Sequence, residues 1–151
     1  MIKSSELILN PDGSVYHLNL KPENIANDII FVSDQERVSK ITQHFDSIEF
    51  STQKREFKTE TGMYKGKRLT VQSTGIGPDN IDIVLNELDA LVNVDLNTRE
   101  IKPNHTALNI VRIGTSGSLQ ADIPVDSWVM SKYAIGLDNM LRSYLIEEHS
   151  V

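Results

Sequence analysis

Residues 28–38, DIIFVSDQERV, hold an unbroken apolar run, Ile29-Ile30-Phe31-Val32, that stops at a polar turn. A short β-branched run bounded by aspartates predicts a strand buried on both faces, as in a parallel sheet. Val38, Ile41 and Phe45 then recur at helical spacing, and Ser33 with Glu36 has the pattern of a capping box. A buried strand that runs directly into a capped helix is the building unit of an α/β fold.

The same grammar continues on both sides. REFKTETGMY (55–64) and KRLTVQST (67–74) flank Lys65-Gly66, which predicts two strands joined by a tight hairpin. From about Pro78 to Val92, Ile81, Val84, Leu85, Leu88, Leu91 and Val92 form one broad stripe of a helix, with Pro78 suited to its first position. Residues 93–106 are polar and read as a loop. ALNIVRIG (107–114) and SWVMSKYAIG (127–136) read as strands around a loop at 115–126, and Leu137, Leu141 and Leu145 have the spacing of a closing helix. The expected architecture is an α/β fold with a mixed central β-sheet flanked by helices, and residues 1–151 form one domain.

Composition narrows the chemistry. With no cysteine, the chain has no disulfide and no thiolate nucleophile or metal ligand. His17, His44, His105 and His149 are scattered and lack metal-ligand spacing. A formal charge of −6 argues against a nucleic-acid surface. No apolar run is long enough for a membrane span, and the first residues lack the apolar core of a signal peptide. The expectation is a cytoplasmic, metal-free protein with neither nucleic acid nor membrane as partner.

Two strand ends carry anion chemistry. At Ser33-Asp34-Gln35-Glu36-Arg37, helix amides and Arg37 could receive a phosphate, although Asp34 and Glu36 oppose one, and a plain helix cap is the alternative. In NIVRIGTSG (109–117), Arg112 interrupts an apolar strand, so partial burial is expected near the carboxyl end, where ligands gather in open α/β sheets. Gly114 and Gly117 permit close backbone approach, Thr115 and Ser116 add hydroxyls, and a guanidinium grips phosphate or carboxylate in bidentate fashion. An arginine paired with an internal acid remains the alternative. STGIGPDN (73–80) completes neither a P-loop nor a dinucleotide fingerprint and reads as a tight turn before a helix. No acid, base or nucleophile constellation is recognisable.

Taken in order, VYHLNL, SDQERVSKI, REF, STGIG and RIGTSGSLQ resemble the N-terminal half of the nucleoside phosphorylase-I family, closest to uridine phosphorylases, from about Val15 to Leu137. The resemblance implies phosphorolysis of a nucleoside to free base and ribose 1-phosphate, with phosphate as co-substrate and no required cofactor. It implies phosphate binding by Ser33, Arg37, Gly114, Arg112 and Thr115. Arg55 would reach phosphate in a neighbouring subunit, and His17 would cross a dimer interface towards the ribose, which implies a homo-oligomer built from dimers. Glu56, Ile76 and Asn80 would fall at a monovalent cation, with Asn80 in place of the family's serine. Ser33 and Gln35 replace the glycine and proline of the family's GDP element. The family's Gln-x-Arg and Met-Glu elements, which read the base and hold the ribose, have no counterpart in these residues. The 151-residue chain is therefore expected to be a partial domain and inefficient alone. A nucleosidase of the same superfamily and a non-catalytic phosphate-binding or interaction module are the other readings; the retained arginines argue against the nucleosidase, since water needs no cationic cradle.

Overall fold

A computed structural model describes residues 1–144, which fall into two units, residues 1–114 and residues from 115 onward. In the first unit the elements run β1 (Asp28–Val32), α1 (Gln35–Thr42), β2 (Ser47–Lys54), β3 (Phe57–Tyr64), β4 (Lys67–Ser73), α2 (Pro78–Asn93), β5 (Val94–Asp95), β6 (Glu100–Ile101) and β7 (Asn109–Arg112). Five strands make one mixed sheet in the order β2-β3-β4-β1-β7, while β5 and β6 form a separate small hairpin.

The expected α/β fold with a mixed, helix-flanked sheet is what forms. β1 pairs in parallel with β4 on one side and with β7 on the other, which explains its continuous apolar run. Its alternate residues serve opposite layers. Ile29 and Phe31 join Phe57, Leu18, Leu20 and Val15 beneath Val84, Leu88 and Leu91 of α2. Val32 packs with Val71 against Val38 of α1, with Ile30, Ile41 and Phe45 around them. The Lys65-Gly66 hairpin forms as expected, with both φ angles positive (49° and 79°), the requirement of a tight turn matched to strand twist.

Several local expectations give way. Asp34, not Ser33, caps α1: its carboxylate accepts from the Glu36 amide at 2.7 Å. α1 ends at Thr42, so Phe45 packs from the following turn. β2 is an additional outer strand whose residues are mostly exposed, and so it lacks an apolar signature. Arg55 and Glu56 consequently occupy the β2–β3 turn rather than a strand. Leu85 points away from the stripe and is exposed. The polar stretch 93–106 contains the β5–β6 hairpin. No strand forms at 127–136; a 3-10 turn at Met140–Ser143 stands in the expected closing helix, and Leu145 lies outside the described residues.

Buried polar side chains knit the sheet. Thr61 and Thr70 hydroxyls meet at 2.8 Å across β3 and β4, and the Thr70 hydroxyl also accepts from the Ala26 amide. On the α1 face, Glu60 accepts from Thr42 and pairs with Lys58 at 3.0 Å. Burial raises the Glu60 carboxyl, but the Thr42 and Lys58 hydrogen bonds outweigh it, leaving it below its usual range. A lowered folded-state value contributes stability above the unfolded-state value and loses it as pH falls towards the folded one. Denaturant midpoints should therefore drop on acidification below about pH 5, and Glu60→Gln should flatten that drop. Phe57→Ala, which empties the centre of the larger core, should cost about 3–5 kcal/mol in the same assay.

Candidate functional site

The sheet register gathers most of the singled-out residues at one end. Val32 pairs with Ser73, and Phe31 with Arg112. Continuing the β1–β4 ladder by one residue sets Ser33 beside Thr74, and continuing the β1–β7 ladder by two sets it beside Gly114. The antiparallel β3–β4 register, with Thr59 opposite Gln72, brings Phe57 to the same row. Backbone bonds extend the row past the strands: the Thr74 amide donates to Val32 O at 2.8 Å, and the Ile113 amide donates to Phe31 O at 2.8 Å. Ser33, Gly114 and the Arg55-Glu56 turn thus lie at the carboxyl end of the parallel strands, where ligands of open α/β sheets bind.

Arg112 is not buried. β7 is the edge strand, and all four of its residues are exposed. Its guanidinium instead folds over the backbone that follows: a Cβ on Gly114 would lie 3.0 Å from Arg112 Nη1. The glycine leaves room for that return. The side chains of Arg112 and Arg55 make no hydrogen bond or ion pair among the described residues, whereas Arg68 binds Glu49 and two backbone carbonyls, and Arg99 binds Leu7 O. Arg37 sits half-buried in the first turn of α1. Asp34 already occupies the Glu36 amide there, so the side chains of Arg55 and Arg112, rather than that amide, are the positive groups open to an anion at this end of the sheet. Thr115 opens the second unit and is exposed.

Arg55 holds a left-handed backbone (φ 56°), uncommon for a non-glycine residue and often found at functional turns. Its turn is firmly seated. Ser73 Oγ donates to Glu56 O at 2.6 Å, and the Asn80 amide donates to the Glu56 carboxylate. Asn80 also lies against Gly75 and Gly77, where a Cβ would come within 2.9 Å of its amide group. Ile76 is 88% exposed between them. Glu56, Ile76 and Asn80 are therefore neighbours, with the Asn80 nitrogen turned to the carboxylate. Among the described residues no cluster of three or more His, Cys, Asp or Glu side chains could hold a metal.

His17 lies in the segment that packs beneath α2. Its Nδ1 is 2.7 Å from Glu87 Oε1. Lys54, next to Arg55, hydrogen-bonds Tyr16 O and Asn10 Oδ1 and stacks over the Tyr16 ring, tying His17's segment to the arginine turn. Glu87 escaped the sequence reading. Its only signal is an acid three residues after Val84 and four before Leu91, on the apolar face of α2.

Residues 28–150 match the model of the phosphorylase superfamily. A uridine phosphorylase from Thermococcus kodakarensis is 30% identical over 97% of this chain and 48% of its own length. A DeoD-type purine nucleoside phosphorylase from Thermoanaerobacter is 34% identical over 76% of this chain and 44% of its own. Among solved structures, a Trypanosoma brucei nucleoside phosphorylase described as showing uridine phosphorylase activity superposes with a TM-score of 0.71 at 40% identity, covering 78% of this chain and 41% of that one. The chain spans about half the length of the curated relatives it matches.

The glycine-rich turn after β4 gives a direct test of local geometry. Gly75 has φ 72° and Asn80 pressed against it, so Gly75→Ala should destabilise by about 1–2 kcal/mol. Gly114→Ala meets only the mobile end of Arg112 and should leave the urea midpoint nearly unchanged.

Proposed function

Because this chain belongs to the phosphorylase superfamily, we propose that it supplies the phosphate-gripping part of a uridine phosphorylase-like enzyme, with residues 1–151 as the N-terminal half of one catalytic domain. A phosphate oxygen attacks the anomeric carbon of a nucleoside, the glycosidic carbon–nitrogen bond breaks, and the base departs with its electron pair. Ribose 1-phosphate is the other product. Phosphate is itself the nucleophile, so the protein needs to orient it and stabilise charge rather than provide a base. Arg37 and Arg112 are the grips, and Gly114 and Ser33 bring backbone and hydroxyl donors to the same row; Thr115 is assigned to phosphate by the family resemblance alone. The bound anion then stabilises positive charge developing on the ribose.

The observation that supports this reading best is the unpaired Arg112 guanidinium, held over Gly114 at the ligand-binding end of the sheet. Sheet order also speaks for a shared site. Three strand spacings separate β3 from β7, roughly 14 Å, so Arg55 and Arg112 do not converge easily on one phosphate within a chain. Arg55 and His17, tied together through Lys54, fit the role of a neighbour's contribution in a homo-oligomer built from dimers. The partners in this reading are phosphate and a nucleoside, in the cytoplasm, without nucleic acid or membrane; no helix among the described residues is long and apolar enough to cross a membrane. A monovalent cation at Glu56, Ile76 and Asn80 does not fit the arrangement as it stands, since the Asn80 amide nitrogen already satisfies the carboxylate, and no step is routed through one.

A second reading, an interaction module that binds phosphate without turnover, draws on the second unit. Val125, Trp128, Met130, Ile135 and Leu137 are each at least 86% exposed there, more apolar surface than a free-standing segment usually presents.

Millimolar phosphate should raise the thermal midpoint of the chain, by linkage about 2.7 kcal/mol of stability at a hundredfold excess over Kd. Arg112→Ala should lose most of that rise. Arg55→Ala should lose it only where light scattering shows a dimer. An unmodified chain indifferent to phosphate would sink the cradle. Uridine and phosphate, assayed for uracil release with and without a complementary C-terminal phosphorylase half, separate the enzymatic reading from the interaction module.

A further inference from the structure

The carboxylate of Glu87 is the most heavily hydrogen-bonded acid in the first unit, and every donor comes from one short segment. The His17 amide reaches both oxygens, at 2.9 and 3.1 Å, and the Leu18 amide reaches Oε2 at 2.8 Å. The His17 ring adds Nδ1 at 2.7 Å from Oε1. Glu87 is buried, with 7% of its surface exposed, so water does not compete for these positions. A backbone amide only donates, so both carboxylate oxygens are already acceptors. The imidazole completes the set by donating, which puts its proton on Nδ1.

We propose that Glu87 is a positioning residue that holds His17 as the Nδ1–H tautomer, presenting Nε2 as a bare acceptor for a hydroxyl group. About a quarter of the His17 side chain remains accessible, and Nε2 makes no hydrogen bond among the described residues. The neighbouring Tyr16 ring meets the imidazole edge-on at 4.9 Å and limits its rotation. An acceptor in a fixed direction suits a neutral donor such as a sugar hydroxyl better than a phosphate anion, most of whose oxygens are acceptors only. That the hydroxyl belongs to a nucleoside rests on the function proposed above; the tautomer does not.

The experiment is nitrogen-15 imidazole NMR of the full 151-residue chain at about pH 9, where histidine is neutral. His17, assigned by comparison with His17→Asn, is expected to show a protonated Nδ1 and an unprotonated Nε2. A predominantly Nε2–H ring would overturn the proposal. In Glu87→Gln the amide has an acceptor at only one position, so the ring is expected to move towards the Nε2–H form; an unchanged Nδ1–H ring would show that Glu87 is not what positions it. Should that variant fail to fold, the tautomer of the unmodified chain still decides. Adding uridine then tests the ligand separately. A shift confined to Nε2 supports a hydroxyl donor there, and no shift with the Nδ1–H tautomer in place counts against the nucleoside reading alone.

Discussion

β1 is the constraint on which the rest depends. It is hydrogen-bonded in parallel to β4 and to β7, and both of its faces are covered, one by α1 and one by α2 with the N-terminal segment. Parallel pairing on both sides forces three chain crossings to leave the sheet at the same end. Ser33 and Thr74 directly follow β1 and β4, and Gly114 comes two residues after β7. A one-residue slip of β1 would exchange Ile29 and Phe31 for Ile30 and Val32 on the larger core, and it would displace Ser33 from the row. Core packing and site geometry are therefore set by the same register.

The polar bonds that seat the site join residues 17 to 38 positions apart in the chain and are at most partly buried. Ser73 fixes the carbonyl of Glu56, Asn80 fixes its carboxylate, and Lys54 fixes the carbonyl of Tyr16. Each connects a loop to a regular element, so the loops bearing Arg55 and His17 inherit the rigidity of the sheet and α2. Arg55 tolerates its left-handed backbone because the Lys54–Phe57 pair and the buried Phe57 ring hold both sides of the turn.

The buried elements were legible in the sequence because burial writes a period. β1, the β3–β4 hairpin and α2 each carry an apolar repeat or a diagnostic turn, and each forms close to its expected bounds. β2 and β7 show where that signal ends. Edge strands bury little, so β2 reads as polar, while the apolar residues of β7 resemble those of a central strand although β7 lies outermost. Strand order is a property of pairing, which one-dimensional hydropathy does not record. The site divides in the same way. Arginines beside glycine-rich turns stand out as residue types, but Glu87 acts through distance to a segment some 70 residues away, and no local pattern encodes that.

Charge gives the last step. The chain carries 21 acids against 15 lysines and arginines, yet two guanidiniums at one end of the sheet have no acidic partner among the described residues. In a chain with a surplus of carboxylates, pairing each arginine would be the easier arrangement, as Arg68 with Glu49 demonstrates. Leaving Arg112 over Gly114 and Arg55 on a strained turn forgoes that stabilisation, worth up to about 1 kcal/mol for an exposed pair. The loss is small beside what a doubly charged anion gains from charge-assisted bidentate contacts with a guanidinium. An unpaired arginine in an acidic protein is thus a stronger indication of an external anion than the same residue in a basic one, and at this sheet end there are two.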